Sequence, residues 1–198
     1  MDRGRLESFS DGVFAVAITL LALNLTVEGP GHGRLLHQLW NHWPSFAAYL
    51  ISFFTIGIIW VNHHGLIANI AVVNRTLLFI NLLLLVIIVA IPFVTATMAA
   101  YLKFSDQDQH VAAALYAGTF ELMSLAFFGL LEWALREDER MHNPVPATDR
   151  RAVRIRFYLG QIPYLIAVGV AFLSAPAAVI ITALVAIYYI FDWTPARS

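Results

Sequence analysis

Long apolar runs alternate along the chain with short stretches that gather the charges, glycines and prolines. A helix rises ~1.5 Å per residue, so ~20 apolar residues cross the hydrocarbon core of a bilayer. Bounding each run by charge, glycine or proline predicts helices at about 7–27, 43–66, 76–101, 110–134, 157–174 and 176–193. The last two meet at Ser174-Ala175-Pro176, which reads as a tight helical hairpin or as a kink in one long helix. Two spans fit better, because 157–193 is too long for a single crossing. The expected architecture is an all-α integral membrane protein, one domain over residues 1–198 with six transmembrane helices.

Composition agrees with that pattern. Of 198 residues, 60% are hydrophobic and 13% charged, against ~25% charged in an ordinary soluble domain. The formal net charge of -1 carries little information, because the charges are confined to the chain ends and connections, and a nucleic-acid partner is not indicated. There is no cysteine, which removes disulfides, thiolate metal sites and thiol catalysis together. The first apolar run follows Arg3 and Arg5 and mimics a signal peptide. Asp11 near its start, and the lack of a small-x-small cleavage site between the end of the apolar run and Glu28, argue against one.

Lysine and arginine then set an orientation, since connections on the cytoplasmic side are enriched in them. With six spans, one side holds Arg3, Arg5, Arg75, Arg136, Arg140, Arg150, Arg151, Arg154, Arg156 and Arg197, and the other only Arg34 and Lys103. Both termini are therefore expected in the cytoplasm. The longest connection, roughly 135–156, carries Glu137, Asp138 and Glu139 beside its arginines, contains Pro144 and Pro146, and reads as a solvated cytoplasmic loop. No internal repeat is visible, so a symmetric pore has to come from several subunits.

The most informative stretch is Arg5-Leu6-Glu7-Ser8-Phe9-Ser10-Asp11, followed by Gly12-Val13-Phe14-Ala15-Val16-Ala17-Ile18-Thr19-Leu20-Leu21. An arginine, three residues, then Phe-Ser-Asp at the head of the first span resembles the signature of the transmembrane-protein-175 family, the lysosomal potassium channel and its bacterial relatives. Six spans and a chain near 200 residues agree with the bacterial branch. The resemblance implies a homotetramer in a bacterial plasma membrane, favouring potassium over other monovalent cations and needing no cofactor. Its pore is lined by four copies of the first helix, without a carbonyl-lined selectivity loop, and no Thr-Val-Gly-Tyr-Gly-like sequence occurs here. The family closes that pore with a bulky apolar residue five positions beyond the motif aspartate, which is Val16 here, and places a hydroxyl three residues later, at Thr19. Valine is smaller than the isoleucine or leucine expected there, so Leu20 or Leu23 is expected to share the constriction.

The geometry of the first helix can be tested without the family. At ~100° per residue, Gly12, Val16, Thr19, Leu20, Leu23 and Val27 fall on one stripe. A narrow ring of such side chains suits a dewetting gate, since methyl groups cannot replace an ion's hydration shell; aliphatic stripes on membrane helices more commonly face lipid or neighbouring helices. Asp11 points ~140° away from Val16. Intramembrane charge is costly unless paired or wetted, so Arg5 and Asp11 are expected to find partners inside the bundle, with Phe9 sharing the face of Arg5. The competing reading makes Asp11 an ion-attracting ring at the cytoplasmic mouth.

Trp60, Asn62, His63 and His64 cluster at the end of the second span nearest that motif. The resemblance implies that Trp60 and one of the two histidines join a hydrogen-bond network around Arg5, Phe9, Ser10 and Asp11, and leaves open which histidine. A metal site is disfavoured, because adjacent histidines project differently and no carboxylate sits at i+4. Asn81 in the third span and Glu121 in the fourth are the remaining intramembrane polar groups. Glu121 is the carboxylate that a proton-coupled transporter would use, the alternative to a channel; an interhelix hydrogen bond or a protonated side chain is the plainer reading. His32, His37 and His42 in the outer connection read as solvated. No nucleophile–base pair or metal constellation points to an enzyme.

Overall fold

Asp2 starts the first helix one turn earlier than hydropathy indicates, its carboxylate accepting from the Gly4 amide at 3.4 Å in the manner of an N-cap. The computed structural model describes residues 2–103 and 107–191. Among these, helices α1 (Arg3–Ala22), α2 (Leu35–Asn41), α3 (Trp43–Ala68), α4 (Arg75–Tyr101), α5 (Gln107–Leu135), α6 (Ala147–Ala171) and α7 (Ala175–Phe191) follow in order, with a single 3-10 turn at Asp138–Arg140. Arg197 and the last two residues of the predicted 176–193 span lie outside the described residues.

Local chemistry sets the boundaries. Asn74 caps α4, its Oδ1 accepting from the Leu77 amide at 2.9 Å. Pro44 and Pro176 sit in the first turns of α3 and α7, where the missing N–H has no helical partner to lose. The chain breaks between α6 and α7 at Phe172–Ser174, so the stretch expected to be either hairpin or kink separates two helices. α3, α4 and α5 are each long and apolar enough to cross a membrane, and α7 carries a shorter apolar stretch, Ala175–Tyr188.

Two expectations are corrected. α1 ends at Ala22 rather than 27, and Val27 leaves the helical stripe. Beyond it the chain enters a loop in which Gly29, Gly31 and Gly33 take φ of 88°, 99° and 94°, a region open mainly to glycine. The buried side chain of Gln38 on α2 clamps this loop, bonding Gly29 through both its oxygen and nitrogen and reaching the Gly33 carbonyl. The stretch 135–156 is not a solvated loop either. It holds the 3-10 turn, and α6 begins directly after Pro146, ten residues ahead of the predicted 157.

That charged end is tied together. Ile70 and Met141 form an antiparallel bridge, and Asn69 exchanges hydrogen bonds with Asn143. Arg140 lies 4.6 Å over the Trp133 ring and donates to the Trp133 carbonyl, Arg150 pairs with Asp138, and Arg154 forks onto Glu132. Such geometry, with both guanidinium bonds made, orders the start of α6 more than an isolated surface pair would.

α1 packs on α3 and α4; α5 packs on α4, α6 and α7; α7 also meets α3 and α6. The core where α1, α3, α4 and α5 meet includes the buried side chains Phe14, Leu21, Ile56, Leu84, Ile88, Tyr116 and Phe120. Ser52, Thr95 and Tyr116 join three of these helices through hydroxyl bonds of 2.8 and 2.9 Å, and Thr95 itself donates to the Ile91 carbonyl. Between apolar helices in lipid, packing and such bonds hold the bundle, since lipid tails are as apolar as leucine.

Candidate functional site: the first helix and its polar anchor

Leu6, Ser10, Phe14, Ala17 and Leu21 recur at helical spacing and form the buried face of α1. Within it a chain of polar groups runs through three helices. Ser10 Oγ donates to the Leu6 carbonyl at 2.9 Å and accepts from Asn81 Nδ2 of α4 at 3.0 Å. The amide oxygen of Asn81 faces His63 Nε2 of α3 at 2.7 Å, so that nitrogen is the donor. All three residues are buried, and the His63 ring lies 5.3 Å from that of Phe14.

A second polar layer lies closer to solvent. Trp60 Nε1 donates to Asp11 Oδ1 at 2.8 Å, His64 Nδ1 is 3.2 Å from Glu7 Oε1, and the Trp60 and His64 rings are 5.9 Å apart. Glu7 and Asp11, four apart on α1, thus face Trp60 and His64, four apart on α3. Below both layers Arg3 Nη1 reaches the Ala68 carbonyl at 2.8 Å, closing the end of α3 onto the start of α1.

The two histidines divide the work: His63 faces the buried serine and asparagine, His64 the wetter carboxylates. Asn62 is exposed. Asp11 is half-buried and pairs with the exposed Trp60 rather than with a group deep in the bundle. Arg5, also expected to pair inside the bundle, is exposed, and among the described residues it has no hydrogen bond or ion pair. Phe9 is exposed on the same side, at 52%. Glu7 escaped the sequence reading, although its i,i+4 spacing to Asp11 was available as a signal. The ligand atoms of Glu7, Asp11 and His64 lie within 4.8 Å of one another, a proximity that spacing within α3 alone does not reveal. Trp60 and the His64–Glu7 contact already engage these groups.

On its opposite side α1 is uncovered. Val16 is 55% exposed, Leu20 37% and Leu23 71%, while Leu21 is fully buried. Gly12 and Thr19 share the uncovered face. Thr19 Oγ1 donates to the Val16 carbonyl at 2.8 Å, so its lone pairs are left for whatever faces the helix.

The other polar candidates lie apart from α1. Glu121 is buried on α5 with Oε2 lacking a hydrogen-bond partner among the described residues. His32 is exposed in the glycine loop, His37 accepts from Asn41 at 3.1 Å on α2, and His42 joins α2 to α3.

The family described as endosomal/lysosomal potassium channel TMEM175 matches residues 5–92, which include both polar layers and the uncovered face of α1. A protein from Streptomyces collinus described as a potassium channel is 47% identical over 199 residues, covering 100% of this chain and 96% of that one. A potassium channel from Chamaesiphon minutus is 35% identical, covering 95% and 93%. The chicken endosomal/lysosomal proton channel TMEM175 is 29% identical over 72% of this chain and 30% of its own. Among solved structures, a crystal structure of a lysosomal potassium-selective channel TMEM175 homologue from Chamaesiphon minutus superposes with a TM-score of 0.82. It is 35% identical and covers 95% of this chain and 96% of that one.

Proposed function

This chain belongs to the TMEM175 family of membrane ion channels, and on that premise we propose that it is a potassium-favouring, homotetrameric cation channel with a hydrophobic constriction on α1. One observation carries the reading. α1 is anchored on one face by Ser10, Asp11 and the core, yet presents Val16, Thr19, Leu20 and Leu23 uncovered on the other. Four copies of that face around an axis make stacked rings, with no carbonyl loop required. Aliphatic rings at Val16, Leu20 and Leu23 resist hydrated ions. Thr19, whose proton is directed to the Val16 carbonyl, offers oxygen lone pairs to a partly dehydrated cation.

In this reading six helices cross a bacterial plasma membrane as one domain, α2 lying in the outer connection. The arginine-rich end, with both termini, faces the cytoplasm. Arg5, without a partner among the described residues of its own subunit, meets one across a subunit boundary.

A proton-coupled carrier is the second reading, favoured by Glu121: buried, with an unpartnered carboxylate oxygen. Flux through purified protein in liposomes separates the two. A channel conducts potassium down its own gradient, faster than sodium, with or without an imposed proton gradient, and Glu121→Gln leaves that flux in place. Flux that requires a proton gradient, or that Glu121→Gln abolishes in folded protein, identifies the carrier.

A further inference from the structure

At ~100° per residue, Leu35, Leu36, Leu39, Trp40 and Trp43 fall within one arc of ~140° around α2 and the first residue of α3. Arg34, His37, Gln38, Asn41 and His42 fill the opposite arc. All five apolar side chains are exposed, Leu36 at 78% and Trp40 at 77%. Residues of the polar arc tie α2 down: Gln38 clamps the glycine loop, Asn41 bonds His37, and the Asn41 carbonyl accepts from Lys103. We propose that the apolar arc of α2 is a membrane-docking surface, seated at the boundary of headgroups and acyl chains in the leaflet where α3 begins.

Three features select a lipid surface as the occupant. The first is height. The 26 residues of α3 rise ~39 Å, ~9 Å more than a hydrocarbon core of ~30 Å, so Trp43 at the start of α3 stands at the boundary. α2 is held at that level. The chain turns out of the axis of α3 at His42, where ψ is 12° rather than helical. Lys103, just past the end of α4, reaches the Asn41 carbonyl, and Gln38 holds the loop that follows α1. The second feature is continuity. Trp43, Leu50, Phe54 and Val61 recur at helical spacing as an uncovered apolar stripe of α3, so the arc of α2 and the stripe of a crossing helix meet at Trp43 in one apolar surface. The third is chemistry. Tryptophan and leucine on one face, with polar and cationic side chains on the other, suit a helix lying at a membrane boundary. The polar arc carries Arg34 and two histidines and no carboxylate, the sign that suits a layer of phosphates; the acid nearest in sequence, Glu28, belongs to the loop. The proposal needs α3 to cross a bilayer and does not depend on which ions the protein passes.

The chain has no cysteine, so single nitroxide-labelled cysteines read this surface residue by residue without needing channel activity. The intact purified protein is reconstituted in vesicles of palmitoyl-oleoyl phosphatidylethanolamine and phosphatidylglycerol. Spin relaxation caused by oxygen, which enters lipid, is then compared with that caused by a nickel chelate, which stays in water. Labels at Leu36 and Trp40 should give an oxygen-to-nickel ratio several-fold higher than labels at His37 and Asn41. All four positions are exposed, so the labelled chains are expected to fold, and Leu36→Cys alone decides if Trp40→Cys does not. A ratio at Leu36 as low as that at His37 would place α2 in water and overturn the proposal. Exclusion of both reagents from Leu36 would also overturn it, and spin–spin broadening that disappears on dilution with unlabelled subunits would then assign the arc to a second copy.

Discussion

Asn81 uses both ends of its amide at once, donating to Ser10 and accepting from His63, and so joins α1, α3 and α4 at a point water does not reach. Removing one member of a buried chain leaves the others unsatisfied, which costs about 1–3 kcal/mol, whereas the net gain from an intact bond is smaller. Asn81→Leu is therefore expected to destabilise the purified protein by about 1–3 kcal/mol, read as a lowered melting temperature in detergent, with Ser10→Ala showing a smaller loss. An unchanged melting temperature for Asn81→Leu would mean that Ser10 and His63 find other partners. Thr19 illustrates the opposite case, a polar group on an uncovered face. Thr19→Val keeps the shape and removes the oxygen, so the ratio of potassium to sodium permeability from reversal potentials should fall while total current is largely retained. A proportional loss of both would assign Thr19 to folding or assembly instead.

At the scale of the element, α3, α4 and α5 were legible from hydropathy to within a few residues, because their apolar runs and their helices coincide. α1 and α6 were not. Leu23, Leu25 and Val27 continue the apolar run past Ala22, but hydropathy does not distinguish a helix from extended apolar chain, and the glycine loop behind Gln38 ends the helix earlier. The first turns of α6 carry Asp149, Arg150, Arg151 and Arg154, so an apolar scan passes over a helix held by Glu132 and Asp138. The polar anchor was half legible. Trp60, His63, Asp11 and Asn81 stood out as polar groups in apolar surroundings, but their pairing depends on how α1, α3 and α4 align, which spacing within one helix does not contain. Arg5 shows the limit most clearly, since it is exposed and pairs with none of the described residues of its own subunit. Arg5→Ala is accordingly expected to shift the purified protein from the proposed tetramer toward smaller species in light scattering while its helix content stays near wild type. A stable tetramer in that variant would contradict a role for Arg5 between subunits.

For the whole molecule, the ends of the helices divide the charges. The start of α1, the end of α3, the start of α4, the end of α5 and the start of α6 share the arginine-bearing end, while Arg34 and Lys103 lie at the other. If the arginine-rich end faces the cytoplasm, a cysteine at exposed Ala147, in a chain that has no other, should resist an impermeant thiol reagent applied to intact cells and react once they are opened. Labelling from outside would invert the topology.

The account turns on whether the uncovered face of α1 lines the conduction path, and single-channel recording from asparagine variants in planar bilayers tests that most directly. With tetramer formation checked beforehand, asparagine at Val16, Leu20 or Leu23 should admit water to the narrowed rings and raise potassium current, whereas Leu21→Met, on the buried face, should leave permeation as in wild type. Unchanged current in all three asparagine variants, or an equal change in Leu21→Met, would remove α1 from the pore.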